Sequence, residues 1–431
     1  MKGNKINRRQ FIKKVSGVAA GAISFPYIIP SSALGKAGTV APSNRIVMGC
    51  IGVGSMGTGD MKAFLTKDEV QIVAVCDVDS NHRNRARDIV NRKYQNEDCA
   101  AYNDFREIIS RDDIDAVMIA TPDQWHAIIA IMAARVGKDI HAQKPLAYTI
   151  AEGRAIVDAV RKYGIVWQTG SQQRSDSRFR LACELVRNER IGRIHTVKVG
   201  LPNTNDIHDE GTTPAAVPEG FDYDMWLGPA PAEPYCPGRC HWNFRWIGDY
   251  SGGQITDWAG HHCDIANWGM GTELTAPVEI EGSGIWPKGP LYDTVENYRF
   301  ECKYKEGFTM LVAGEFPRGV RFEGDKGWIF VRRGSIDAEP LSVLHSDIKH
   351  NEIHLYKSND HKQNFLDCVK TRSKTVAPAE VAHRSIMVGH LGVIAIKLGR
   401  KLKFDPEKER FINDPEADRL LSRPMRSPWR I

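Results

Sequence analysis

Between Ile46 and Asp79 the chain reads IVMGCIGVGSMGTGDMKAFLTKDEVQIVAVCDVD: two apolar runs flank Gly52-x-Gly54-x-x-Gly57 and a helix-length segment, and Asp77 closes the second run. This order is strand, turn, helix, strand. Gly52 permits the tight turn, Gly54 lets backbone N–H groups approach a pyrophosphate, and Gly57 lets the helix pack closely on its strand. An isolated glycine-rich turn carries little information. Placed between strand and helix, with an acid about 20 residues on, it is a dinucleotide-binding fingerprint. A carboxylate at Asp77 accepts from a free ribose 2′-OH and repels a 2′-phosphate, so NAD is the expected cofactor. Arg83 and Arg85 nearby keep NADP open.

The 431 residues suffice for two domains, with 42% hydrophobic and 26% charged residues as in ordinary globular proteins. The formal charge of +5 does not mark a nucleic-acid binder. Six positives (Lys2, Lys5, Arg8, Arg9, Lys13, Lys14) precede residue 36 with no acids, and removing them leaves −1. Asn7-Arg8-Arg9-Gln10-Phe11-Ile12-Lys13 has the form of a twin-arginine export signal, followed by an apolar stretch from Val15 to Pro30 and a small-x-small site near Ala33-Leu34-Gly35. That stretch is too short to span a membrane, Pro26 and Pro30 interrupt it, and no later segment reads as a span. Residues 1–35 are thus expected to be a signal handed to the twin-arginine machinery, 36–43 a linker, and the mature protein periplasmic. Export in the folded state suits an enzyme that acquires its dinucleotide before leaving and holds it tightly. Among nine cysteines, Cys236 and Cys240 stand four apart in a Pro/Gly-rich loop and could pair in an oxidising compartment.

After the fingerprint, Arg83 to Tyr94 and Phe105 to Ile109 read as helices and Ile114 to Ala120 as a strand buried on both faces. Thr121, Pro122, Trp125 and His126 follow at its carboxyl end, where open α/β sheets bind ligands. A helix from Ala127 to Val136 leads to another strand end carrying Gln143, Lys144 and Pro145. Ile150 to Lys162 is a helix and Ile165 to Thr169 a strand. The alternation predicts an α/β fold: a doubly wound parallel Rossmann sheet over residues 44–192. From about Arg193 the runs Ile194 to Gly200, Pro277 to Gly284, Thr294 to Tyr304, Gly307 to Phe316 and Gly327 to Val331 predict an α+β domain with a large open, mostly antiparallel sheet over 193–400. A long Pro/Gly-rich loop, Leu201 to Arg239, interrupts it. Two late helices, Asp360 to Thr371 and Glu380 to Arg400, precede a polar tail, 401–431.

Three groups carry chemistry. Lys144, between Gln143 and Pro145, sits where an ammonium can donate to a substrate hydroxyl or tune a neighbouring base. If Gly253 to Asp264 is helical, Asp257, His261 and Asp264 fall at i, i+4 and i+7 on one face, and a carboxylate can orient an imidazole base. His262 points elsewhere. His and Asp at that spacing also serve zinc, but no third Cys/His cluster stands out and no metal is expected. Trp226, Trp242, Trp246, Trp258 and Trp268 are half of the ten tryptophans, and flat apolar faces with a polar edge suit sugar rings.

Together these motifs resemble the glucose-fructose oxidoreductase, inositol dehydrogenase and rhizopine catabolism (Gfo/Idh/MocA) family, over nearly all of residues 44 to 425. Its Glu-Lys-Pro motif is similar to Gln143-Lys144-Pro145, its Asp-x-x-x-His to Asp257–His261, and its Thr-Pro-x-x-x-His to Thr121–His126. Ser171-Gln172-Gln173-Arg174 and Arg423-Pro424-Met425 resemble the exported, sugar-acting branch. The resemblance implies Lys144 and His261 as catalytic pair, with Asp257 holding substrate or histidine. Gln143 departs from the family's glutamate, which leaves the lysine's environment open. Cofactor contacts are then expected from Gly52, Gly54, Ser55, Met56, Gly57 and Asp77 at the first turn. Thr121, Pro122, Trp125 and His126, then Gln143, Lys144 and Pro145, and finally Gln172 would complete them. Arg245, Trp246, Trp258 and His262 would join Lys144, Asp257 and His261 around the substrate. The implied activity is NAD(P)-dependent hydride transfer at a ring carbon of a sugar or glycoside, C3 being one candidate, in a homo-oligomer joined through the second sheet. A redox-assisted glycosidase and a non-catalytic dinucleotide sensor are the alternatives.

Overall fold

Apolar runs that alternate with helical segments of about one sheet's width give a parallel sheet covered on both faces. In the computed structural model, which describes residues 44–431, that sheet has six strands: β1 (Ile46–Ile51), β2 (Val70–Cys76), β3 (Ala100–Tyr102), β4 (Ala116–Ile119), β5 (Asp139–Ala142) and β6 (Trp167–Thr169). All pair in parallel, in the order β3-β2-β1-β4-β5-β6. The order reverses between β1 and β4, so their carboxyl ends open a crevice, the usual ligand site of such sheets. The export signal and linker expected over 1–43 lie outside the described residues.

The second sheet has nine strands: β7 (Ile194–Gly200), β8 (Glu279–Ile285), β9 (Glu296–Lys303), β10 (Thr309–Ala313), β11 (Gly319–Gly324), β12 (Gly327–Arg332), β13 (Ser335–Glu339), β14 (Leu402–Asp405) and β15 (Arg410–Phe411). It is antiparallel throughout except for the parallel pair β7–β10. The helices Ser177–Arg187, Gly253–Met270 and Ala379–Leu398 pack against it. Ala379–Leu398 has the length and apolarity to cross a membrane, a property the sequence reading missed. With 83% of its apolar window buried, it spends that surface on the helix Gly253–Met270 and the sheet.

Two segments are more structured than expected. The stretch after β7 folds onto its own apolar cluster around Tyr223, Trp226 and Tyr250. It is pinned to the first sheet by Asp222 N–H to Val78 O (3.0 Å), Ser80 N–H to Gly220 O (2.9 Å) and an Asp79–Phe221 bridge. The tail is integrated as well. β14 extends the second sheet, and Trp429 returns to the first domain, edge-on to Trp125 with centroids 4.6 Å apart. Cys236 and Cys240 are separate buried thiols, not a disulfide.

Candidate functional site

A cleft of about 230 Å³ runs along the carboxyl end of β1, with the segment after β7 as its opposite wall. Its floor is the glycine turn. Gly52 has φ +78, and a Cβ there would lie 2.7 Å from the Ala120 backbone; a Cβ on Gly57 would lie 1.8 Å from Gly52 O. At Gly54 a Cβ would meet only His82, at 3.6 Å. No side chain caps the helix Ser55–Phe64, so its first N–H groups face the cleft without a local acceptor. Close packing behind the turn and open space before it are what a pyrophosphate requires.

Asp77 lines the same cleft and also braces the turn: its carboxylate accepts from Val53 N–H (2.9 Å) and Asp79 N–H (3.0 Å). His82 stands 3.7 Å from it, and that partnership raises the His82 imidazole above its ordinary range. His241, from the opposite wall, meets His82 with ring centroids 5.1 Å apart and Asp79 at 3.8 Å. Asp79, His82 and His241 form a trio close enough to hold an ion. Sequence reading missed these histidines, because their meeting depends on a chain crossing that no local pattern encodes.

At the other end Lys144 Nζ donates to Asp257 Oδ1 (2.7 Å) and to Asp257 O (3.1 Å), and Arg245 Nε lies 3.6 Å from the same carboxylate. Burial alone would raise the Asp257 carboxyl, but Lys144 and Arg245 outweigh it and hold it below the usual carboxylate range. The small residue at Gly260 eases the contact, since a Cβ there would lie 3.3 Å from Lys144 Cβ and the lysine would have to shift by a few tenths of an ångström. The Lys144–Pro145 peptide is cis.

The helix Gly253–Met270 does place Asp257, His261 and Asp264 in register, but their partners differ from expectation. Asp257 is bonded to Lys144, not to His261. Asp264 is taken up by Arg174 (2.6 and 2.9 Å) and Ser385 (2.7 Å) in a buried structural network. His261 is buried, with Nδ1 lacking a hydrogen-bond partner, and its ring is edge-on to Trp258 at 5.7 Å. Burial, then the charges of Lys144 and Arg333, push its imidazole well below the ordinary histidine range, so it is neutral at physiological pH.

Several expected contacts belong to the scaffold instead. His262 Nδ1 bonds Gly200 O (2.8 Å), and burial brings its pKa down to about 4. Trp246 is buried and donates to Asp206 O (3.0 Å), fixing the segment after β7. His126 bridges Pro145 O (2.7 Å) and Thr121 O (2.9 Å), bracing the cleft from behind. Gln172 is exposed and outside the cleft lining. Ser55, Met56, Thr121, Pro122, Trp125, Gln143, Lys144, Asp257 and Arg245 do line it, whereas Pro145, Trp258 and His261 lie behind its surface. Gln143 Nε2 donates to Asp60 Oδ2 (2.7 Å), whose other oxygen pairs with Lys362 (2.8 Å). A carboxylate at position 143 would repel Asp60, so the neutral amide suits this chain.

Comparison with known proteins agrees with this geometry. Residues 46–171 match the model of the oxidoreductase family, NAD-binding Rossmann fold, and residues 206–431 match its C-terminal alpha/beta domain. An alpha-N-acetylgalactosaminidase of Shewanella oneidensis is 34% identical over 173 residues. That alignment covers 37% of this chain and only 38% of the relative's length. The fold also matches the WlbA dehydrogenase of Bordetella pertussis, solved with NADH and UDP-GlcNAcA (TM-score 0.62, 17% identity, 84% of this chain and 99% of that one). It matches myo-inositol 2-dehydrogenase of Lactobacillus plantarum similarly (TM-score 0.60, 17% identity, 84% and 100%). With both halves accounted for, the chain belongs to the Gfo/Idh/MocA oxidoreductase family, with a nicotinamide-dinucleotide-binding Rossmann domain and that family's C-terminal α/β domain.

Proposed function

We propose that this protein is an NAD-dependent oxidoreductase acting at a ring carbinol of a sugar or glycoside. One observation carries the reading: the Lys144–Asp257 pair lines the same cleft as the glycine turn. Gly52, Gly54 and Gly57 fit a pyrophosphate, and Asp77 fits a free ribose hydroxyl. When bound there, a nicotinamide supplies reversible hydride acceptance. The chain's own residues do the rest. Lys144, fixed by Asp257, donates a hydrogen bond to the substrate oxygen, and neutral His261 takes the hydroxyl proton. Asp257 therefore positions the lysine, not the histidine.

A second reading is a redox-neutral glycosidase, favoured by the stretch shared with the alpha-N-acetylgalactosaminidase. The same Lys144, Asp257 and His261 would serve it, but free sugar would leave without net cofactor reduction. Incubating the purified protein with a glycoside panel separates the two. A dehydrogenase accumulates reduced nicotinamide in proportion to substrate consumed, whereas a glycosidase releases reducing sugar with no net change. Neither signal with any glycoside would overturn both. The Arg8-Arg9 motif supports action in the periplasm.

A further inference from the structure

Asp257 is followed by Trp258, and two arginines from the second sheet converge on that indole. Arg318, leading into β11, has its guanidinium carbon 4.8 Å from the ring centroid; Arg333, in the β12–β13 turn, lies at 5.1 Å. Both turns stand at the sheet end where β7 finishes, since Gly319 pairs with Gly200 and Gly200 O accepts from His262. The arginines therefore flank the helix face that carries Asp257 and His261.

Their electrostatics are unusual for a scaffold. Among the described residues neither guanidinium has a carboxylate within ion-pair distance, whereas most arginines around the site are paired. Partial burial, then the like charge of Arg318, hold Arg333 below its ordinary range, and the one carboxylate acting on it, Asp257, is already engaged by Lys144. Two like charges placed together on one indole lack the counter-charge that would make them a stable structural pair. A guanidinium fork held over an indole is well arranged to take an oxyanion.

We propose that Arg318 and Arg333, on the face of Trp258, form a subsite for an anionic substituent of the sugar, a carboxylate or a sulfate ester. The inference rests on the reading of Lys144 and His261 as the reacting end, and it narrows the substrate class to acidic or sulfated sugars.

Calorimetric binding of galacturonate, galactose 6-sulfate and galactose to the full chain loaded with NAD tests it. The acid or the sulfate ester binds roughly 10- to 150-fold more tightly than galactose, the range for one charge-assisted contact. The advantage shrinks as salt rises. It disappears in Arg318→Gln and Arg333→Gln and is partly restored by Arg333→Lys, while NAD titrates each variant as wild type, which also reports an intact fold. Equal affinity for all three sugars, or an advantage that survives both glutamine variants, would overturn the subsite. Because the readout is binding, the two readings fail separately. Preferred binding of the acid without turnover of any sugar defeats the oxidoreductase reading and upholds the subsite, and turnover with no anionic preference does the reverse.

Discussion

Replacing Lys144 by Met keeps most of the side chain's length and removes its charge. Asp257, whose side chain is 15% exposed, then loses its 2.7 Å partner and keeps only Arg245 at 3.6 Å. Breaking a buried pair from one side costs about 3–5 kcal/mol. The residual arginine places this case near the lower end, at about 3 kcal/mol. The pH dependence fixes the sign. In the native protein Asp257 lies below its unfolded value of about 3.9, so it contributes stability above that value and loses it as pH falls through the folded pKa. Without Lys144 only Arg245 opposes burial, so the carboxyl should rise. The deficit is then full at neutral pH and shrinks as pH falls through the raised pKa. Urea unfolding from mildly alkaline to mildly acidic pH measures this, with Lys144→Met/Asp257→Leu as control. The double variant should recover most of the stability, because both charges are gone, and none of the turnover. A Lys144→Met protein that unfolds at the wild-type urea concentration at every pH would refute the electrostatic argument.

Asp77→Asn should weaken NAD by roughly 10- to 150-fold and NADP far less, while retaining an acceptor for Val53 N–H; equal losses by calorimetry would remove Asp77 as the ribose ligand. His261→Ala should leave NAD affinity intact and lower turnover about 10²- to 10⁴-fold. Because burial already keeps the imidazole neutral, the wild-type rate should show no histidine limb near its ordinary value of about 6.5; a limb there in stopped-flow pH profiles would contradict that assignment. Arg8→Lys with Arg9→Lys should retain the protein in the cytoplasm with cofactor binding unchanged, and unaltered periplasmic recovery in cell fractionation would end the export reading.

The first domain was legible because its signals are local. Glycine spacing, continuous apolar runs and helical periodicity placed Ile46–Ile51, Phe105–Ile109 and Ile150–Tyr163 within a residue or so of where they lie. The second sheet was legible only in part. β11 and β14 do alternate apolar and polar residues, but like β13 and β15 they run for only two to six residues, too short for the pattern to stand out from the loops around them. At the site, helical register gave Asp257 and His261, but register says which residues share a face and not which partner claims each. Asp264 went to Arg174, Asp257 to Lys144, and His262 to a strand end. The His82–His241 meeting and the arginine pair on Trp258 depend on contacts between distant segments, which no window along one sequence contains.

Single-turnover mixing of the NAD-loaded protein with a panel of neutral, acidic and sulfated glycosides, followed at the reduced-nicotinamide absorbance band, addresses the proposed chemistry most directly. At least one glycoside should raise that absorbance transiently or permanently in the wild type, with the signal abolished in Lys144→Met and slowed about 10²- to 10⁴-fold in His261→Ala. If no glycoside changes the absorbance, or if Lys144→Met gives the wild-type trace, then Lys144, Asp257 and His261 are not the reacting end of this cleft.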